Sequence, residues 1–352
     1  IIILFTRENR SYITPRCNHK QVTSTTTTTT MSSSSSEEQA KEITWTCQDG
    51  IKIAGKQWTN KTGHDENNKI KPLRIIALHG WMDNCATFDS LYHGLADKLS
   101  DIVDIDFVAI DFPGHGQSSH KSLDGPTSVL ADYCYYVYDV VVRQLKWEPE
   151  DTTIIGHSMG ASVALMFAAA FPVEKLVMLD SLGPSPKPEE SISSCIKKHI
   201  KTRASGKMPS SIYPNFETAV VVRCKSPAIL FPGKQYISED TARSLVQRGS
   251  IIRDDGKLQF LHDQRLYCPS ILFLSEKQIE VLYKDVSDQP TSTCLLLADD
   301  GMPFPSDLVS RTRNILLKTD DTYQSLPGSH HFHSDPDSVG GVVDTIVLWL
   351  RL

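Results

Sequence analysis

The sequence predicts an α/β fold in which helices cover both faces of a mostly parallel, doubly wound sheet. Apolar runs of strand length recur along the chain, as expected for strands that are buried on both sides. They occupy residues 73–78 (interrupted by Arg74), 107–110, 153–155, 176–179 and 295–297. Stretches of helical character lie between them, notably residues 129–147 and 161–171. This alternation is typical of parallel strands joined by helical crossovers.

The first 40 residues are predicted to be disordered. Threonines at 25–30 and serines at 32–36 form polar tracts that cannot offset the entropy lost on ordering. The chain begins with Ile1, and Met31 opens a stretch that looks like an ordinary translation start. We therefore interpret residues 1–30 as upstream sequence. A transit peptide is the alternative, since this stretch has several basic and hydroxyl residues and Glu8 as its only acid.

An antiparallel hairpin should open the folded chain, because two alternating runs, 43–47 and 51–58, flank an Asp-Gly turn. We predict a core in two parts, residues 41–182 and 291–352. The strand-helix alternation stops between them, so residues 183–290 are predicted to form an inserted helical cap. Two of its helices should follow Ser238 and Ser275, since each serine precedes acidic residues in the manner of an N-cap.

Composition and charge limit the possible partners. The 352 residues are 40% hydrophobic and 22% charged, with a formal net charge of -6. Lys and Arg are scattered, with no block that suits nucleic acid or an anionic membrane, and no apolar run approaches the roughly 18 residues of a membrane span. The eight cysteines are dispersed without a C-x-x-C pair, which indicates reduced thiols in an intracellular protein. We expect a small-molecule substrate, no nucleic acid and no integral membrane segment, whereas the oligomeric state stays open.

The segment Gly156-His157-Ser158-Met159-Gly160 fits the motif G-x-S-x-G between a buried strand and a helix. We predict Ser158 as a nucleophile on a strained turn. The two glycines are needed there because a Cβ atom would collide with the neighbouring strand or helix. The Met159 amide lies at the start of the helix and should stabilise a developing oxyanion. The alternative is a glycine-rich turn without chemistry.

A second oxyanion donor should follow an earlier strand of the sheet. The sequence Leu78-His79-Gly80-Trp81 comes directly after the first buried run, and the Trp81 amide is the candidate. Alternatively, this segment only ends the strand tightly, with His79 as a hydrogen-bonded packing residue. The turn-rich loop 111–118 lies at the same end of the sheet, and we expect its role to be architectural.

The general base should be a late histidine, because the order around this motif is serine, acid, histidine. The stretch 328–333 offers His330, His331 and His333. We choose His330, two residues past Gly328, and keep His331 as its competitor. A metal is not predicted, since adjacent histidines point in different directions and no carboxylate or cysteine spacing supports a ligand set.

Two places compete for the acid of the triad. Asp180 ends the run 176–179, and Asp299 and Asp300 follow the run 295–297. Both places lie at the carboxyl end of the predicted sheet, where ligands bind. The acid usually follows the later strand, but the usual spacing falls nearer Gly301 than Asp300. Asp180 could instead cap local amides, so the sequence does not decide between these candidates.

Together these segments resemble the α/β-hydrolase superfamily and, more narrowly, the serine hydrolase-like proteins related to the insect protein Kraken. The resemblance spans about residues 43–352 and rests on five motifs and a cap stretch, which are residues 78–84, 156–160, 179–180, 295–301, 328–333 and 237–264. It implies a serine hydrolase with a helical lid and a poorly defined substrate, sometimes associated with peroxisomes and vesicles. The ending Leu350-Arg351-Leu352 only loosely resembles a peroxisomal signal, whose first residue is small. Relatives that process epoxides and halides use an aspartate nucleophile, and Ser158 argues against those chemistries.

The predicted function is hydrolysis of a small ester-like substrate through an acyl-enzyme, without a cofactor. His330 would deprotonate Ser158, and the amides of Trp81 and Met159 would hold the oxyanion. One alternative is a binding protein or pseudoenzyme with a ligand pocket under the cap. Another is cleavage of a thioester or a carbon-carbon bond by the same triad.

Overall fold

Eight strands form one sheet in the computed structural model of the protein. The structure describes residues 40–62, 71–123, 125, 129–206, 210–230, 236–270 and 273–351. The predicted disorder of residues 1–40 therefore lies, apart from Ala40, outside the described residues. The strands are β1 (Lys41–Thr46), β2 (Lys52–Asn60), β3 (Leu73–Leu78), β4 (Ile105–Ile110), β5 (Thr153–His157), β6 (Lys175–Leu179), β10 (Ser292–Asp300) and β11 (Thr322–Ser329).

The strand order is β1-β2-β4-β3-β5-β6-β10-β11; β2 is antiparallel to both of its neighbours, and every other pair is parallel. The predicted hairpin joins β1 and β2, with Trp45 paired to Ile53 and a positive φ of 84° at Gly50 in the turn. The mostly parallel, doubly wound fold class is thereby confirmed.

Helices cover both faces of this sheet, because its central strands bury side chains on both sides. The helices are α1 (Asp89–Leu99), α2 (Leu130–Tyr138), α3 (Met159–Ala170), α4 (Ile192–Ser205), α5 (Phe216–Leu230), α6 (Glu239–Arg248), α7 (Glu276–Ser287), α8 (Ser306–Leu316) and α9 (Val339–Leu350). One apolar core lies under α1 and α9, and the other lies under α2, α3, α7 and α8. None of the described helices is long and apolar enough to span a membrane.

The segment between β6 and β10 contains helices, as predicted. It also contains a small sheet, which the sequence analysis did not predict. Strands β7 (Ile212–Tyr213), β8 (Ser250–Ile252) and β9 (Leu258–Phe260) form it in the order β7-β9-β8. Helices α6 and α7 begin where predicted, since Ser238 and Ser275 accept hydrogen bonds from the amides of Thr241 and Gln278.

The residues of this segment belong to two separate clusters. Ala219, Ala242 and Leu258 contribute to a small apolar core of their own. Helix α7 instead buries Ile279 and Tyr283 in the core of the eight-stranded sheet that lies under α2, α3 and α8. We therefore propose a cap made of α4, α5, α6 and β7–β9, which ends before α7 rather than at residue 290.

Candidate active site

Ser158 lies on a sharp turn between β5 and α3. Its backbone is strained, with φ 54° and ψ -115°, and it stands at the N-terminus of α3. A Cβ atom at Gly156 would lie 2.4 Å from Ala161 Cα, and one at Gly160 would lie 1.9 Å from the Leu78 carbonyl oxygen. Both flanking glycines are therefore required by close packing, as the motif predicts, and the turn presents a half-buried serine beside the first amides of a helix.

His330 is hydrogen-bonded to Asp180, with 2.5 Å between Nδ1 and Oδ2. Asp180 follows β6 directly, is buried, and has a positive φ of 45°. Its two oxygens also accept the amides of Ala298 and Met302 at 3.0 and 2.8 Å. The end of β10 and the loop after it therefore hold this carboxylate toward the histidine ring.

Asp299 and Asp300 have different surroundings. Asp299 is exposed and accepts a hydrogen bond from the Ser325 hydroxyl at 2.6 Å. Asp300 pairs with Ser329 in the ladder between β10 and β11. The Nδ1 atom of His330 can donate only one proton, and it donates that proton to Asp180. Of the three candidate acids, Asp180 is therefore the one that is hydrogen-bonded to His330 Nδ1.

The rings of His330 and His331 lie 5.4 Å apart at 89° to each other, and the two histidines have different partners. Its Nε2 atom lies 3.1 Å from Asp83 Oδ2, and Arg223 donates to the other oxygen of Asp83 at 2.9 Å. Burial alone would raise the pKa of Asp83, but His331 and Arg223 hold it well below its usual range. Burial lowers the pKa of His331, although Asp83 acts in the opposite direction.

His157, which the sequence analysis passed over, connects the serine turn to the histidine segment. Its Nε2 donates to the carbonyl oxygen of His330 at 2.8 Å, and its ring lies 4.6 Å from the His330 ring. The ring of His333 lies 4.1 Å from the ring of His157, and the Nε2 atom of His333 is 3.0 Å from the Thr87 hydroxyl. Burial lowers the pKa of both His157 and His333 well below the usual range, and the surrounding histidines add to this.

Asp83, His157 and His331 bring three possible metal ligand atoms within 4.8 Å of one another. The sequence analysis found no carboxylate for these histidines, because Asp83 is 248 residues away from His331. The charge of Asp83 is already paired with Arg223, and the proton on His331 Nε2 points at the same carboxylate. Asp83 is therefore engaged by a guanidinium and an imidazole in one buried hydrogen-bond network.

The loop after β3 lies against the serine turn. A Cβ atom at Gly80 would be 3.2 Å from Ser158 Cβ and 3.1 Å from His157 Nδ1. His79 is fully buried, donates from Nδ1 to the Gly80 carbonyl at 2.7 Å, and accepts the Phe112 amide on Nε2. The packing role considered for His79 is thus present, and it also holds the loop that carries Trp81.

The amides of Trp81 and Met159 have no hydrogen-bond acceptor among the described residues. The Trp81 side chain is 38% exposed and contacts the Tyr267 ring edge-on at 6.1 Å, so it faces the segment between β6 and β10.

Loop 111–118, for which we expect an architectural role, makes hydrogen bonds to neighbouring segments. Asp111 in that loop accepts the Cys85 amide and the Arg248 guanidinium, at 2.7 and 3.0 Å.

Comparisons with known proteins agree with this fold. A model of the alpha/beta hydrolase family matches residues 75–344. A serine hydrolase-like protein of Danio rerio is 32% identical over 76% of this chain and 79% of its own length. Serine hydrolase-like protein 2 of Homo sapiens is 29% identical over 84% of this chain and 90% of its own length. The crystal structure of a hypothetical protein from Pseudomonas aeruginosa is 28% identical, covers 88% of this chain and 97% of its own, and superposes with a TM-score of 0.68.

Proposed function

Because this chain belongs to the alpha/beta hydrolase family, among the serine hydrolase-like proteins, we propose that it hydrolyses a small ester-like substrate through an acyl-enzyme on Ser158. One observation carries the proposal. Ser158, on a strained turn at a helix N-terminus, lies at the same edge of the sheet as His330, which is hydrogen-bonded to the buried carboxylate of Asp180. These are the parts of a nucleophile, a base and an orienting acid.

His330 acts as the general base in this mechanism. Its Nδ1 donates to Asp180, so the lone pair is on Nε2, which takes the proton of the Ser158 hydroxyl. A bond forms between Ser158 Oγ and the carbonyl carbon, and the ester C–O bond breaks as His330 passes the proton to the leaving alkoxide. Water then repeats the sequence and releases the carboxylic acid.

The oxyanion is held by the amides of Trp81 and Met159 in this proposal. Two features support them, namely the close approach of the Gly80 loop to Ser158 and the position of Met159 at the start of α3. A helix N-terminus favours negative charge, and two amides aimed at one oxygen form an oxyanion hole.

The competing assignments have less support. The Nε2 atom of His331 is engaged by Asp83, and its Nδ1 atom is buried without a hydrogen-bond partner among the described residues, so no contact joins it to Ser158. The pseudoenzyme alternative depended on an unassigned acid, and the bond between His330 and Asp180 counts against it. The esterase we propose is intracellular, cytoplasmic or at peroxisomes or vesicles, a location supported by the seven described cysteines, which are all free thiols.

Labelling with a fluorophosphonate probe tests the proposal. Wild-type protein should react at Ser158, as located by peptide mass spectrometry, and should hydrolyse p-nitrophenyl acetate and butyrate. The variant Ser158→Ala should lose both properties, whereas Ser162→Ala, one helical turn further along α3, should keep them. Folded wild-type protein that remains unlabelled, or a Ser158→Ala variant with full activity, would refute the assignment.

A further inference from the structure

Helix α4 exposes a row of isoleucines. Ile192, Ile196 and Ile200 are 41%, 39% and 59% exposed, and residues four apart lie on one face of a helix. The helix is anchored through the adjacent side, where Cys195 and His199 are buried and His199 Nδ1 donates to the Pro269 carbonyl at 2.7 Å. The isoleucine row therefore faces outward because the packing of α4 leaves it there.

The apolar surface continues past the end of the helix. Arg203 donates to the carbonyl oxygen of Gly125 at 3.3 Å, which ties the last turn of α4 to a neighbouring loop. Leu123 in that loop is 79% exposed. We call the three isoleucines and Leu123, with the basic residues of α4, the α4 face.

The charge of α4 has one sign. The helix contains Lys197, Lys198, Lys201 and Arg203 and no acidic residue, although the whole chain has a net charge of -6. Within the described parts of the chain, none of these four side chains has a carboxylate at ion-pair distance. Lys197 and Lys201 each follow an exposed isoleucine by one position, about 100° around the helix, so they border the row on the side away from Cys195 and His199.

We propose that the α4 face docks on an anionic membrane surface. An apolar row flanked by lysines and arginines is the pattern of a helix that lies in the headgroup region, with isoleucines among the acyl chains and cations at the phosphates. Long lysine side chains reach the headgroups while their methylenes stay against apolar surface.

Charge decides between a membrane and a second copy of this chain. A symmetric dimer through the α4 face would place eight like charges together, which opposes association. An anionic lipid surface complements the same charges. The sequence analysis found no basic block because these residues are interleaved with apolar ones, and only the helix brings them beside one exposed row.

Vesicle flotation with the full chain tests this proposal. Wild-type protein should float with vesicles of equimolar phosphatidylcholine and phosphatidylserine, less so at high salt, and much less with phosphatidylcholine alone. The double variants Ile196→Ser/Ile200→Ser and Lys197→Glu/Lys201→Glu should each lower the bound fraction by at least about tenfold.

A matched control comes from the same segment. Ile251 and Ile252 are 49% and 63% exposed but belong to β8, which packs beside β9 and α6, so Ile251→Ser/Ile252→Ser should bind like wild type. Thermal melting of every variant monitors folding, and the lysine variants change only surface charge, which keeps the test valid if the isoleucine variants unfold.

Three results would overturn the proposal. Wild-type protein could fail to float with the mixed vesicles, or the lysine variant could bind them as well as wild type does. Finally, analytical ultracentrifugation could reveal a dimer that Ile196→Ser/Ile200→Ser dissociates, in which case the occupant of the α4 face is a second copy.

Discussion

A Cβ atom placed on Gly301 would lie 2.4 Å from both carboxylate oxygens of Asp180. The Asp180 side chain thus fills the space that a side chain at position 301 would need. The two residues come from the ends of β6 and β10, which are neighbours in the sheet. The position after β10 at which the sequence analysis expected the usual acid is therefore a glycine for a steric reason, since the carboxylate comes from the adjacent strand.

Replacement Gly301→Ala should displace the Asp180 carboxylate and lower kcat for p-nitrophenyl acetate about 100-fold, because a shift of about 1 Å misaligns a base. Fluorophosphonate labelling should slow in parallel. Gly341→Ala is the control, since a Cβ there meets nothing within 4 Å, and its kcat should match wild type. A fully active Gly301→Ala enzyme would show that the position of Asp180 does not matter for turnover.

Replacement Asp180→Asn should lower kcat about 1,000-fold or more, because an amide neither orients the required tautomer of His330 nor stabilises its imidazolium form. The paired experiment is Asp299→Asn, which changes an exposed carboxylate bonded to Ser325 and should leave kcat unchanged. Steady-state kinetics on both variants distinguishes the two acids. The reverse result, with Asp299→Asn inactive, would return the role to the loop after β10.

The buried strands were predictable because a strand covered on both faces has few polar residues. The run 73–78 coincides with β3, and the other four runs lie within β4, β5, β6 and β10. Strand β11 carries no such run, since it lies at the edge of the sheet, consists mostly of half-buried or exposed residues and contains Pro327. Strands β7, β8 and β9 are two or three residues long, too short to show alternation.

The site was predictable where a motif is local and was left open where it depends on distant contacts. Ser158 stands in a continuous motif, and His330 follows a glycine near the end of the chain. The choice of Asp180 depends on which of two neighbouring loops turns a carboxylate inward. The periodicity of the sequence gives no information on that choice. Asp83 was missed for the same reason, because it meets His331 only in the folded chain.

Arg248 fastens α6 to the core, and its removal should destabilise the protein. Its guanidinium is buried and pairs with Asp111 and Glu42 at 3.0 and 2.6 Å. Arg248→Met leaves the buried Asp111 charge unpaired, so the free energy of unfolding should fall by about 3–5 kcal/mol in urea titrations. Arg243→Met on the same helix removes only exposed ion pairs and should unfold close to wild type. Equal effects of the two changes would contradict a special role for Arg248.

Stability should fall as the pH drops below about 6.5, because buried histidines stay neutral in the folded protein and become protonated on unfolding. Burial lowers the pKa of His115, His157 and His333 well below the usual range. The unfolded chain therefore binds more protons than the folded one in acid, and the free energy of unfolding decreases with falling pH. Each such group contributes about 1.4 kcal/mol over the whole interval from pH 7.5 to pH 5.5, because it takes up its proton in the unfolded chain only below about pH 6.5, and the three together contribute about 4 kcal/mol.

Urea unfolding followed by tryptophan fluorescence at those two pH values measures this loss. In the variant His333→Asn one titrating group is gone while a polar contact to Thr87 is retained, so its loss of stability over the same interval should be smaller by about 1.4 kcal/mol. Wild-type protein with the same free energy of unfolding at both pH values would mean that the histidine cluster is already protonated in the folded state, which its burial among other imidazoles opposes.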